Sequence, residues 1–120
     1  MRKTIICVII LFVSGCAGSP VWNTVMIDTT TKEAKKNNEK TINLKIGQST
    51  QEIIKMMGNP AKREVYPNVE FFFYRTTGWS LNDMGDRDYQ FTPLAFEDDK
   101  LVGWGRNYYD MRIKQVFEIK

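Results

Sequence analysis

The stretch from Gly47 to Pro60 constrains the fold of this chain more than any other. Ser49 is followed three positions later by Glu52. That is the spacing of a capping box, in which the hydroxyl takes the third helical amide and the carboxylate reaches back to the cap amide. A short helix is expected to start there. Ile53, Ile54, Met56 and Met57 give it a wide apolar stripe. Gly58 can take the left-handed conformation that closes a helix, and Asn59-Pro60 blocks its continuation. Two turns of helix are not stable alone in water, so this one must dock, and the aromatic stretch downstream offers a surface.

That stretch is Val69 to Thr77, the strongest strand in the chain. Strand alternation places Val69, Phe71 and Phe73 on one side and Glu70, Phe72, Tyr74 and Thr76 on the other. Glu70 and Thr76 mark the second side as the wetter, so Val69, Phe71 and Phe73 are expected to meet the helix, with Phe72 and Tyr74 on the outer face. Lys62 to Tyr66 reads as a preceding strand, with a turn at Pro67-Asn68. Tyr89 to Glu97 reads as the next, where Pro93 implies an edge position or a bulge. Asp98-Asp99 turns the chain, and Lys100 to Tyr108 returns as the partner strand of a hairpin.

Leu101, Gly103, Gly105 and Asn107 would share one side of that return strand, leaving a gap into which a helix or an aromatic ring can settle, or a groove kept open for a ligand. Trp104 and Arg106 would share the other side with Tyr108. Together with Phe72 and Tyr74 they are the candidate partner-binding residues, because aromatic side chains and arginine dominate interface hot spots. A competing reading folds the N-terminal segment or the C-terminal tail over the same patch. Thr41 to Ile46 fits a short strand or a helix end equally, and Tyr109 to Lys120 fits a last strand or a helix. The expected class is α+β, with one or two short helices packed on one face of a three- to four-stranded antiparallel sheet.

The N-terminus has a different logic. Met1-Arg2-Lys3 is basic, Thr4 to Val13 is apolar, and the run is too short to span a bilayer, which is the layout of a secretory signal. Val13-Ser14-Gly15-Cys16 resembles a bacterial lipobox, whose cysteine receives diacylglycerol and an N-acyl chain and becomes the first residue of the mature protein. Two or three acyl chains hold a protein on a membrane essentially permanently, at roughly 0.8 kcal/mol per buried methylene. Ala17 follows the cysteine where a signal for inner-membrane retention would usually be Asp, so the lipoprotein resemblance implies the outer membrane, facing the periplasm. From residue 17 to about residue 40 the chain is polar, with Val21, Trp22, Val25, Met26 and Ile27 its only substantial apolar group. It reads as a tether with a frayed helical piece after Thr30, spanning on the order of 25–30 Å. The expected organisation is a signal peptide over 1–15, an acylated Cys16 and polar tether over 16–40, and one domain over 41–120.

Composition excludes several functions. The 17 basic and 14 acidic residues become 15 against 14 once Arg2 and Lys3 are removed, too even a balance for a nucleic-acid binder. There is no histidine. Cys7 would leave with the signal, so Cys16 is the one mature cysteine, and it is the acylated one. The usual nucleophile and base pairs are therefore missing, and no catalytic residue is assigned. Asp83, Asp86 and Asp88 lie in the long loop Gly78 to Asp88 without EF-hand spacing, so this reads as a solvated hairpin loop with no metal and no cofactor beyond the covalent lipid.

Taken together, Gly47 to Ile53, Met57 to Pro60, the aromatic strand around Phe72-Phe73-Tyr74 and the hairpin Phe96 to Leu101 resemble the BamE/SmpA (OmlA-like) lipoprotein domain. The resemblance covers roughly residues 42–105. Gln48 replaces the family's usual Met, and the tail from Val102 departs from the pattern, so the match is to a paralogue rather than to the barrel-assembly subunit. It implies a non-catalytic interaction or scaffold module in the cell envelope, anchored by lipid and contacting an envelope protein, accessory to outer-membrane protein assembly or envelope integrity. The alternative it implies is an inhibitor-type lipoprotein that binds a hydrolase.

Overall fold

The computed structural model describes residues 19–118, with side chains from residue 24 onward. Residues 1–15, expected to be a signal, and Cys16 lie outside the described residues. Four strands, β1 (Lys62–Val65), β2 (Glu70–Arg75), β3 (Phe91–Glu97) and β4 (Lys100–Trp104), form one antiparallel sheet in sequence order. Three helices accompany it: α1 (Ser19–Thr41), α2 (Thr50–Met57) and α3 (Arg106–Glu118). The class is α+β, as the sequence implies.

α2 is built as its residues dictate. Ser49 Oγ accepts the Glu52 amide at 3.1 Å, and the Glu52 carboxylate accepts the Ser49 amide at 2.8 Å. At the other end Gly58, with φ of 86°, returns its amide to the Ile54 carbonyl at 2.7 Å. Both orphaned ends are thus satisfied. Ile53 and Met57 are buried, and Ile54 and Met56 partly so.

The face of β2 that α2 covers is the opposite of the expected one. Phe72 and Tyr74 pack with Leu44, Ile53, Met57, Leu94, Phe96 and Leu101 in the α2 cluster. Val69, Phe71 and Phe73 pack with Ala95 in a second cluster, closed by Tyr108, Tyr109, Ile113 and Val116 of α3. The tail beyond Tyr109 is therefore helical, and both faces of the sheet are dry. The polar markers misled because each is satisfied locally: Glu70 pairs with Arg63, and Thr76 shares a hydrogen bond with Thr92 at 2.7 Å.

Pro93 sits in an interior strand and costs no ladder bond. Its carbonyl accepts the Gly105 amide at 2.9 Å, so its nitrogen faces the same side, where β4 has already ended and turned into α3. A register shift between Ala95 and Phe96 lets Val102 and Gly103 both serve the α3 cluster. The gap at Gly103 is filled by Tyr108: a β-carbon there would lie 2.6 Å from the ring.

The polar segment read as a tether is helix α1. Thr30, Ala34 and Asn37, at helical spacing, form its buried side. None is large and apolar, which is why hydrophobic periodicity does not reveal it. Thr41 ends this helix, so Leu44 enters the core from a turn rather than a strand.

Candidate functional site

Four side chains were expected to form one exposed aromatic and basic patch, and the fold separates them. Phe72 and Tyr74 are 0% and 2% exposed, so neither is available to a partner. The Tyr74 hydroxyl donates to the Gly58 carbonyl at 2.8 Å, and burial pushes its pKa up to about 12 despite nearby Arg63. Arg106 is a brace: it donates to the carbonyls of Asp88 at 2.8 Å and Phe91 at 3.3 Å and lies over the Tyr109 ring. Arg106 stays half-buried, and Trp104 is the most accessible of the four, at 38%, opposite Leu94 at the end of β4. Cys16 lies outside the described residues.

The densest polar constellation centres on a residue that sequence reasoning passed over. Arg75, at the end of β2, is 5% exposed. Its guanidinium pairs with Glu33 of α1 at 3.4 Å and with Asp86, and donates to the Gln90 side chain at 3.0 Å and the Thr77 carbonyl at 3.1 Å. It also stacks over the Phe91 ring at 4.6 Å. Five donors meeting this many partners is what a buried guanidinium requires. Trp79 binds the same Asp86 carboxylate through its indole N–H at 2.8 Å. That indole, followed by Arg75, outweighs the effect of burial and holds the Asp86 carboxyl below the usual carboxylate range.

Around this hub α1 is fastened by side chain to main chain bonds. Asn37 donates to the Arg75 carbonyl and Asn38 to the Thr76 carbonyl, both at 2.8 Å, and Thr30 Oγ accepts the Trp79 amide at 2.9 Å. The strand has ended here, so these backbone groups have no ladder partner and the helix supplies one. At Gly78 the two segments touch so closely that a β-carbon would lie 2.8 Å from the Thr31 backbone. A sequence signal for the hub does exist: a lone arginine closing a run of buried aromatics, followed by an acidic loop.

A second constellation fastens α3. Glu64 on β1 accepts the hydroxyls of Tyr109 at 2.6 Å and Tyr66 at 3.1 Å and pairs with Lys62 at 3.4 Å. Burial alone would raise its carboxyl, but these donors outweigh it and the net shift is downward. Burial, followed by the same contact, pushes Tyr109 well above the usual phenol range.

These groups position elements of the fold. Asp83 and Asp86 of the long loop are already engaged, with Arg87 and Tyr89 and with Arg75 and Trp79 respectively. Among the described residues no group of three or more acidic, cysteine or histidine side chains is placed to hold a metal ion. An opening of about 430 Å³ at the turn end of the sheet is lined by Tyr66 to Glu70 and Phe96 to Asp99.

A family model described as a protein of unknown function, DUF3192, matches residues 21–111, from α1 into α3. No curated protein and no solved structure matches the chain. The match takes in most of α1, α2, the whole sheet and the first turns of α3, and the chain belongs to the DUF3192 family.

Proposed function

We propose that this protein is a lipid-anchored, non-catalytic interaction module of the cell envelope, held in the outer membrane and facing the periplasm, where it contacts another envelope protein. The observation that carries this reading is the lipobox Val13-Ser14-Gly15-Cys16 standing three positions ahead of a helix clamped to the folded body. An acylated Cys16 would then be joined to the domain by a structured element. The likeness of residues 42–105 to the BamE/SmpA domain supports a role accessory to outer-membrane protein assembly or envelope integrity. With both faces of the sheet occupied by the chain's own helices, the accessible contact residues are at the margins, Trp104 among them.

The test is a Cys16→Ser variant followed through cell fractionation, with a photo-crosslinker placed at Trp104 in the otherwise native chain. The native chain is expected in the outer-membrane fraction and the variant out of it, with an envelope protein trapped at position 104. A variant that stays with the membrane contradicts the anchor, and a soluble hydrolase captured and inactivated at position 104 supports the inhibitor reading instead.

A further inference from the structure

The contacts that fasten α1 also give its direction. Asn37 and Asn38 meet Arg75 and Thr76, whereas Thr30 and Thr31 meet Trp79 and Gly78. α1 therefore runs antiparallel to the segment Arg75 to Trp79. Its first turns, Ser19 to Thr29, continue past the loop end of the sheet, by about 16 Å at the helical rise. Cys16 precedes Ser19 by three positions, which adds at most about 10 Å of extended chain.

We infer that α1 is a rigid post that orients the domain on the bilayer, with the Gly78–Asp88 loop toward the lipid and the Pro67-Asn68 and Asp98-Asp99 turns away from it. The inference rests on the acylation of Cys16 proposed above. A slack tether would let the domain tumble; a helix held by Asn37, Asn38, Thr30 and the buried Arg75 does not. The loop end, where Leu81 is 82% and Tyr89 61% exposed, faces the bilayer but is held off it by the first turns of α1. The open cleft at Tyr66 to Glu70 and Phe96 to Asp99 is left facing the periplasm.

The test uses the full chain, processed and acylated in cells, purified and returned to phosphatidylethanolamine and phosphatidylglycerol vesicles that carry a headgroup-linked energy acceptor. A donor dye is placed on a single introduced cysteine, Leu81→Cys or Asn68→Cys, both exposed positions. The two ends of the six-residue β2 lie about 17 Å apart and both labelled positions lie beyond them, so transfer from position 81 is expected to exceed that from position 68 by roughly twofold or more. Equal or reversed transfer from vesicle-bound protein overturns the orientation and leaves acylation standing. Protein that does not bind vesicles overturns acylation and the inference with it. Asn37→Ala with Asn38→Ala leaves both hydrophobic clusters intact and is expected to bring the two efficiencies together; if they stay apart, the post is not what orients the domain.

Discussion

At the scale of single residues, burial decides which positions matter. Phe72 lies at 0% exposure among α2 and β3 side chains, and an alanine there is expected to cost about 3–5 kcal/mol. That is enough to threaten a small domain whose whole stability is on the order of 5–15 kcal/mol. Trp104→Ala is expected to cost far less, and urea denaturation of the two variants separates them. Tyr74 supplies a pH prediction. Its folded pKa, about 12, lies above the ordinary phenol value of 10, so its contribution is fully present below pH 10 and is lost as pH rises through about 12. Tyr74→Phe is therefore expected to lose less stability than the native chain between pH 10 and pH 12, read by urea midpoints at each pH. Asp86 has the opposite sign. Its carboxyl is held low, so the stability it lends the Arg75 hub is present above the ordinary carboxylate range and lost as pH falls through the lowered value.

At the scale of elements, legibility in the sequence followed the type of contact. α2 could be read from Ser49, Glu52 and Gly58 because its caps are local and its stripe is apolar. β2 could be read as a strand, but which face met α2 could not. Assigning the faces assumed one wet side, and α3 removes that side by packing Tyr109, Ile113 and Val116 on Phe71 and Phe73. Of α1 only the helical piece after Thr30 could be read, and not its docking, because it is held through Thr30, Asn37 and Asn38 to backbone groups and such contacts leave no hydrophobic period. The candidate patch failed for a related reason: Trp104 and Arg106 were placed on one continuous strand, whereas the strand ends at Trp104 and Gly105, with φ of 104°, turns the chain into α3. α1 and its hub give a prediction of their own. Gly78→Ala would press a β-carbon against the Thr31 backbone and is expected to cost about 1–3 kcal/mol, localised to α1. Hydrogen exchange should show the α1 amides from Thr30 onward exchanging faster, with the β2 and β3 amides unchanged. Gly103→Ala should instead disturb α3, whose Tyr108 ring occupies that space.

At the scale of the whole molecule, the architecture is a sheet closed on both faces, with one long helix whose first residue follows Cys16 by three positions in the sequence. Its polar constellations at Arg75 and Glu64 hold α1 and α3 in place, and on the proposed reading the body's function lies in where it is held and what it touches. Anchoring through Cys16 is the claim on which localisation, orientation and partner all depend. Intact mass spectrometry of the protein extracted from native envelopes tests it most directly. The account predicts a chain that begins at Cys16 and carries diacylglycerol and an N-linked acyl chain; a chain that retains residues 1–15, or begins elsewhere without lipid, would contradict it.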